Sequence, residues 1–160
     1  MVNNGSIDFA FITTPYEHKE ELDICNIAIL NDILIAPTRY KDIINNEINI
    51  KELEKYPFIL LSKEMQFREY IDAYLSKYNV HINPVYEADS SALLASFVEL
   101  GYGLTFIPDE MANKAINENK CYKINTKEPL PNRYIAFAIK KDKVHNSIID
   151  AIKKEILENK

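Results

Sequence analysis

An α/β fold of two lobes, with mixed, largely parallel sheets, is what this sequence predicts, and three observations predict it. Between Ser90 and Glu110 a helix, a glycine-punctuated turn and a short apolar strand follow one another, which is half of a crossover unit. Residues 7–13, 57–61 and 104–107 are apolar runs without alternation, as expected of strands covered on both faces. The chain also has two candidate crossings: a long extended segment at 24–36 that Asn31-Asp32 interrupts, and the proline-containing connector at 127–132. The crossings divide the chain into a partial lobe at 1–29 plus 128–160 and a complete lobe at 30–127.

Taken in order, the first apolar run ends at Thr14-Pro15-Tyr16, and a charged loop at 17–21 leads to the interrupted extended segment. Residues 42–54 are polar with short helical pieces. After the strand at 57–61, Phe67, Tyr70, Ile71, Tyr74, Leu75 and Tyr78 recur at i, i+3, i+4, i+7, i+8 and i+11, which predicts an amphipathic helix with an aromatic core face ending near Asn79. Residues 80–87 read as a strand. Ser90 and Ser91 are placed to cap the next helix, whose apolar positions are Ala92, Leu93, Ala95, Phe97 and Leu100 and whose stop is Gly101. A helix at 109–116, a short extended piece at 122–124, an alternating strand at 133–139 and a closing helix at 145–157 complete the chain.

The composition excludes several functions. A chain of 160 residues, 47% hydrophobic and 27% charged, can hold a core. Its net charge of −5 opposes a nucleic-acid surface, which needs clustered Lys and Arg, and the basic run Lys140-Lys141 with Lys143 reads as a solvated helix start. Cys25 and Cys121 have no C-x-x-C spacing and read as buried thiols in a reduced, cytoplasmic protein, and no apolar run approaches a membrane span. His18, His81 and His145 are scattered without a second ligand at i+3 or i+4, and no nucleophile, phosphate-loop or zinc motif occurs. No enzyme activity, metal or cofactor is expected.

Three stretches carry a resemblance: Gly5-Ser-Ile-Asp-Phe-Ala-Phe-Ile12, Pro57-Phe-Ile with Arg68 near the start of the following helix, and Val98 to Pro108 with Gly101 and Gly103. In this order and spacing the chain resembles the effector-binding domain of LysR-type transcriptional regulators. The resemblance implies a type 2 periplasmic-binding-protein-like fold, a small-molecule effector held between lobes, and side-by-side pairing into a homodimer. It also implies further strands and helices before Gly5 and a winged helix-turn-helix domain before those. Neither precedes Gly5 here, so a truncated or abbreviated product is expected, touching DNA only through that domain.

Ligands of open α/β sheets bind beyond the carboxyl ends of strands, where helix N-termini present N–H groups. Three such places carry hydroxyls: Thr13-Thr14, Ser62 with Lys63, Glu64, Met65 and Gln66, and Ser90-Ser91. Together with Lys63 they suit a small carboxylate or similar anion, although Ser is also the preferred helix cap. Arg68 is a further candidate one turn into its helix, with pairing to Glu64 or Asp72 at i±4 as its other use. Two rival functions share the fold: a solute-binding protein of an ABC-type uptake system, and an enzyme such as a dehydratase.

Overall fold

A computed structural model of the protein describes residues 7–16, 19–141 and 147–158. Gly5, His18, Lys143 and His145, named above, lie outside the described residues, as does the first residue of the charged loop at 17–21. In chain order the elements are β1 (Phe9–Thr13), a 3-10 turn (Lys19–Glu21), β2 (Leu22–Leu30), β3 (Asp32–Pro37), α1 (Lys41–Ile44) and a second 3-10 turn (Ile50–Lys55). Then follow β4 (Ile59–Leu61), α2 (Gln66–Ser76), β5 (Tyr86–Ala88), α3 (Ser91–Glu99), β6 (Thr105–Pro108), α4 (Asp109–Asn117), β7 (Cys121–Ile124), β8 (Arg133–Lys140) and α5 (Ser147–Glu158). The chain divides into two units, one made of its ends up to Leu30 and from Asn132 onward, the other of Asn31–Pro131.

In unit 1 the sheet order is β1-β8-β2, and both pairings are antiparallel, with Phe11 opposite Phe137 and Ile24 opposite Ala138. This corrects the expectation of largely parallel sheets for this unit. Strand direction depends on which strands become neighbours, and β8 returns against both. On one face Phe9, Phe11 and Phe137 meet edge to face or tilted, and Ile152 of α5 packs with Phe9, Phe137 and Ile139. Lys153 Nζ lies 2.6 Å from Asp23 Oδ2 and ties α5 to β2.

Unit 2 keeps the expected mixed character. β3 is antiparallel to both β6 and β7, so those two share a direction. β4 runs parallel to β5, and a parallel bridge between Phe58 and Leu104 joins β4 to β6. Four strands therefore point one way, and β3 opposes them. Residues of β3 alternate between two layers, as the two-residue repeat of a strand requires. Leu34 and Ala36 face α2 and the second 3-10 turn, in a cluster with Phe58, Tyr74 and Phe106. Ile33 and Ile35 face α3 and α4, in a cluster with Leu94, Val98 and Ala112.

Local chemistry explains the ends. Asn49 accepts from Lys51 N at 2.9 Å and Glu52 reaches back to Asn49 N, which starts the second 3-10 turn. Gly101 stops α3 at φ +88, and Gly103 lets the start of β6 approach the residues that lead into β4, since a Cβ there would lie 2.6 Å from Pro57 O. The strand expected at 80–87 is shorter than its apolar run: only Tyr86–Ala88 is extended and paired. Asn79, at φ 56, turns the chain out of α2, and Pro84 has no N–H for a ladder, so 80–85 is irregular although Val80 is buried.

Candidate functional site

Leu61 and Ala88 are the last residues of the parallel pair β4 and β5, and the turns that follow them converge. Ser62 N donates to Ala88 O at 3.0 Å, and Ser62 Oγ donates to Asp89 Oδ1 at 2.5 Å. Two loops and two helix N-termini are thereby joined: 62–65 opens α2, and Asp89-Ser90 opens α3. Partial positive charge and first-turn N–H groups of two helices face the ends of one strand pair.

Among the expected site residues, the structure brings Ser62 together with the turn of Ser90 and Ser91, through Asp89. Neither helix is closed by a side chain. Ser90 is the N-cap of α3 and Met65 that of α2, and neither makes a side-chain capping bond, contrary to the capping reading of Ser90-Ser91. Ser62, Ser90 and Ser91 are half-buried, whereas Lys63, Glu64, Met65 and Gln66 are exposed on the loop.

Arg68 is placed differently. It is 3% exposed, and its Nε donates to both carboxylate oxygens of Asp72 at 3.0 and 2.9 Å. Its Nη1 donates to Leu61 O at 2.8 Å and to Glu87 Oε1 at 2.7 Å. Burial alone would lower its pKa, but the hydrogen bonds and charges of Glu87 and Asp72 outweigh this and raise it. Arg68 therefore fastens the ends of β4 and β5 from beneath, one residue short of Ser62 and two short of Asp89.

Thr13 and Thr14 belong to unit 1. Thr13 closes β1 opposite Ile135. Thr14 continues the pairing, since its N donates to Tyr134 O at 2.9 Å and its Oγ1 accepts from Tyr134 N at 3.0 Å. The Thr14 hydroxyl thus already serves the end of the sheet.

Sequence reasoning missed Asp89. The available signal was an acid directly before a serine pair at a strand end, but its partner Ser62 lies 27 residues away. The acid changes the chemistry: Ser62 gives its proton to Asp89 and is left as an acceptor, so the pair invites a ligand that carries hydroxyl donors as well as an anionic group. Cys121 is buried, and burial pushes its thiol up to about 11, while Cys25 is half-buried, and both are free. Among the described residues no cluster of His, Cys, Asp or Glu is arranged to hold a metal, and no helix is long and apolar enough to cross a membrane.

An α/β domain with loops converging at strand ends and helix N-termini is the class that this fold and geometry define. Residues 1–159 match the family described as the LysR substrate binding domain, and the chain belongs to that family. It is 27% identical over 110 residues to an uncharacterised HTH-type transcriptional regulator, YybE, of Bacillus subtilis. That match covers 69% of this chain and 37% of the regulator. Among solved structures, the effector-binding domain of QuiR in complex with shikimate is similar at TM-score 0.79 and 16% identity, over 99% of this chain and 74% of that one. The Synechocystis CcmR regulatory domain in complex with 2-PG is similar at TM-score 0.83 and 14% identity, over 98% and 75%. These likenesses establish the periplasmic-binding-protein-like fold. The family match favours the regulator over the solute-binding protein and carries no catalytic activity with it.

Proposed function

We propose that this chain is the ligand-sensing domain of a LysR-type transcriptional regulator and that its effector is a small carboxylate or related anion bearing a hydroxyl. The observation that carries this reading is the Ser62–Asp89 hydrogen bond, which joins two strand ends beneath two helix N-termini that no side chain caps. The anionic group lies against the N–H groups of the loop at 62–66 and of Ser91, and a ligand hydroxyl donates to Asp89. The two structures similar in fold, from QuiR and CcmR, contain shikimate and 2-PG at domains of this kind, which supports a small-molecule effector. The bound effector changes the DNA grip of a helix-turn-helix domain elsewhere in a dimeric regulator, and only by as much as its affinity differs between the regulator's two states.

Thermal-shift screening against hydroxy acids, simple carboxylates and aromatic acids tests the proposal. A true effector at a hundredfold excess over its Kd raises Tm by about 5–10 °C. Ser62→Ala should abolish most of that shift, and Asp89→Asn should change the ranking of hydroxylated over plain acids. A hit indifferent to both substitutions rejects the site.

A further inference from the structure

A cavity lies within unit 2, beside the ends of β4 and β5 that Arg68 fastens. It is a groove of about 790 Å³ between α2, the irregular stretch at 80–85 and β5, within the roughly 300–1,000 Å³ range of small-molecule sites. Ser62, Asp89, Ser90 and Ser91 do not line it, whereas Lys63 of the loop after β4 does, together with Arg68, Asp72 and Glu87.

The chemistry of this trio is unusual for a groove wall. Arg68 spends Nε on Asp72, and Nη1 on Leu61 O and Glu87 Oε1. Among the described residues its Nη2 has no protein partner and is not fully buried, and Arg68 lines the groove. Glu87 Oε2 is likewise without a partner among the described residues, on a side chain that is 39% exposed. One ion pair therefore offers both a cationic donor and an anionic acceptor to the same space. Lys63 and Arg68 stand against Asp72 and Glu87, so the wall carries two cations and two carboxylates, and a ligand with a single charge meets groups of its own sign. A zwitterion satisfies both ends at once. Ile82, Pro84 and Val85 supply apolar wall beside it.

We propose that this groove is a second ligand site, distinct from Ser62 and Asp89 although Lys63 of the same loop borders it, for a zwitterionic α-amino acid with an apolar side chain. Its carboxylate accepts from Arg68 Nη2, its ammonium group donates to Glu87, and its side chain lies along 82–85.

Titration calorimetry on the full chain tests this with L-leucine and its two half-analogues, isocaproate, which lacks the ammonium group, and isoamylamine, which lacks the carboxylate. L-leucine is expected to bind, with each half-analogue at least about tenfold weaker, the size of one lost charge-assisted contact. Glu87→Gln should weaken L-leucine about tenfold. Ser76→Trp, on the exposed lip of the groove, should do the same by filling it, and keeps the test open should the first variant unfold. Ser62→Ala should leave the affinity unchanged. Absence of heat with L-leucine at millimolar concentration, equal binding of isocaproate, or loss of binding in Ser62→Ala but not in Ser76→Trp overturns the proposal.

Discussion

The strands β3, β4 and β6 of unit 2 are buried at almost every position, and β1 and β2 of unit 1 are not. β3, β4 and β6 show one half-exposed residue at each outer end at most, while Phe11 of β1 and Ile29 of β2 are 58% and 55% exposed. The difference follows from layering. Unit 2 covers its sheet on both faces, with the aromatic side of α2 on one and the aliphatic sides of α3 and α4 on the other. Among the described residues, unit 1 has only α5 packed on an antiparallel sheet. The lesson concerns the site: the loop bearing Ser62 stands on β4, buried at every position, and its hydroxyl holds Asp89, which follows the more exposed β5.

Removing large rings should separate the units most. Phe106 is 1% exposed, stacks on Phe58 at 5.7 Å and meets Tyr74 at 6.5 Å, so Phe106→Ala should cost about 3–5 kcal/mol in urea denaturation. Phe11→Ala, at a ring already 58% exposed, should cost under about 1 kcal/mol. Equal costs would erase the contrast.

The glycine turn sharpens it at smaller scale. Gly103→Ala forces a methyl group against Pro57 O and should destabilise unit 2 by about 1–3 kcal/mol. Gly101→Ala meets nothing within 4 Å and should cost only the strain of its positive φ, about 1 kcal/mol. A reversed order would mean that the β4–β6 approach is slack.

The two thiols give a milder probe, one in each unit. Burial raises Cys121 to about 11 and Tyr74 to about 12, so both favour their neutral forms when folded. The stability that this contributes is complete below the ordinary pKa of each group and is lost as pH rises through the folded values, so unit 2 should weaken between about pH 9 and 12. At pH 8 a two-unit rise makes the Cys121 thiolate about 100-fold scarcer, and its burial slows alkylation further, while half-buried Cys25 reacts first. Mass spectrometry after a short iodoacetamide pulse reads the ratio.

Much of this arrangement was legible in the residues. Asn31-Asp32 marked the break between β2 and β3, the aromatic period marked α2, and the order of the motifs marked the family. What was not legible depended on neighbours distant in the chain. The antiparallel sheet of unit 1 follows from β8 returning between β1 and β2, which no local pattern encodes. The pairing of Arg68 with Asp72 was readable at i+4, but its bonds to Leu61 O and Glu87 were not. Residues 80–87 are apolar enough for a strand, but Pro84 lacks a ladder N–H and Asn79 turns the chain, so only Tyr86–Ala88 forms one. Asp89 looked like an ordinary turn acid until the ends of β4 and β5 came together.

The most direct test of the site is an NMR titration of the labelled protein with the best hydroxy acid from the screen. The amide resonances of Ser62, Asp89, Ser91 and Ala92 should move first and furthest, and Asp89→Asn should suppress the movement. Shifts confined to α4 and β7, with those four amides still, would contradict the account.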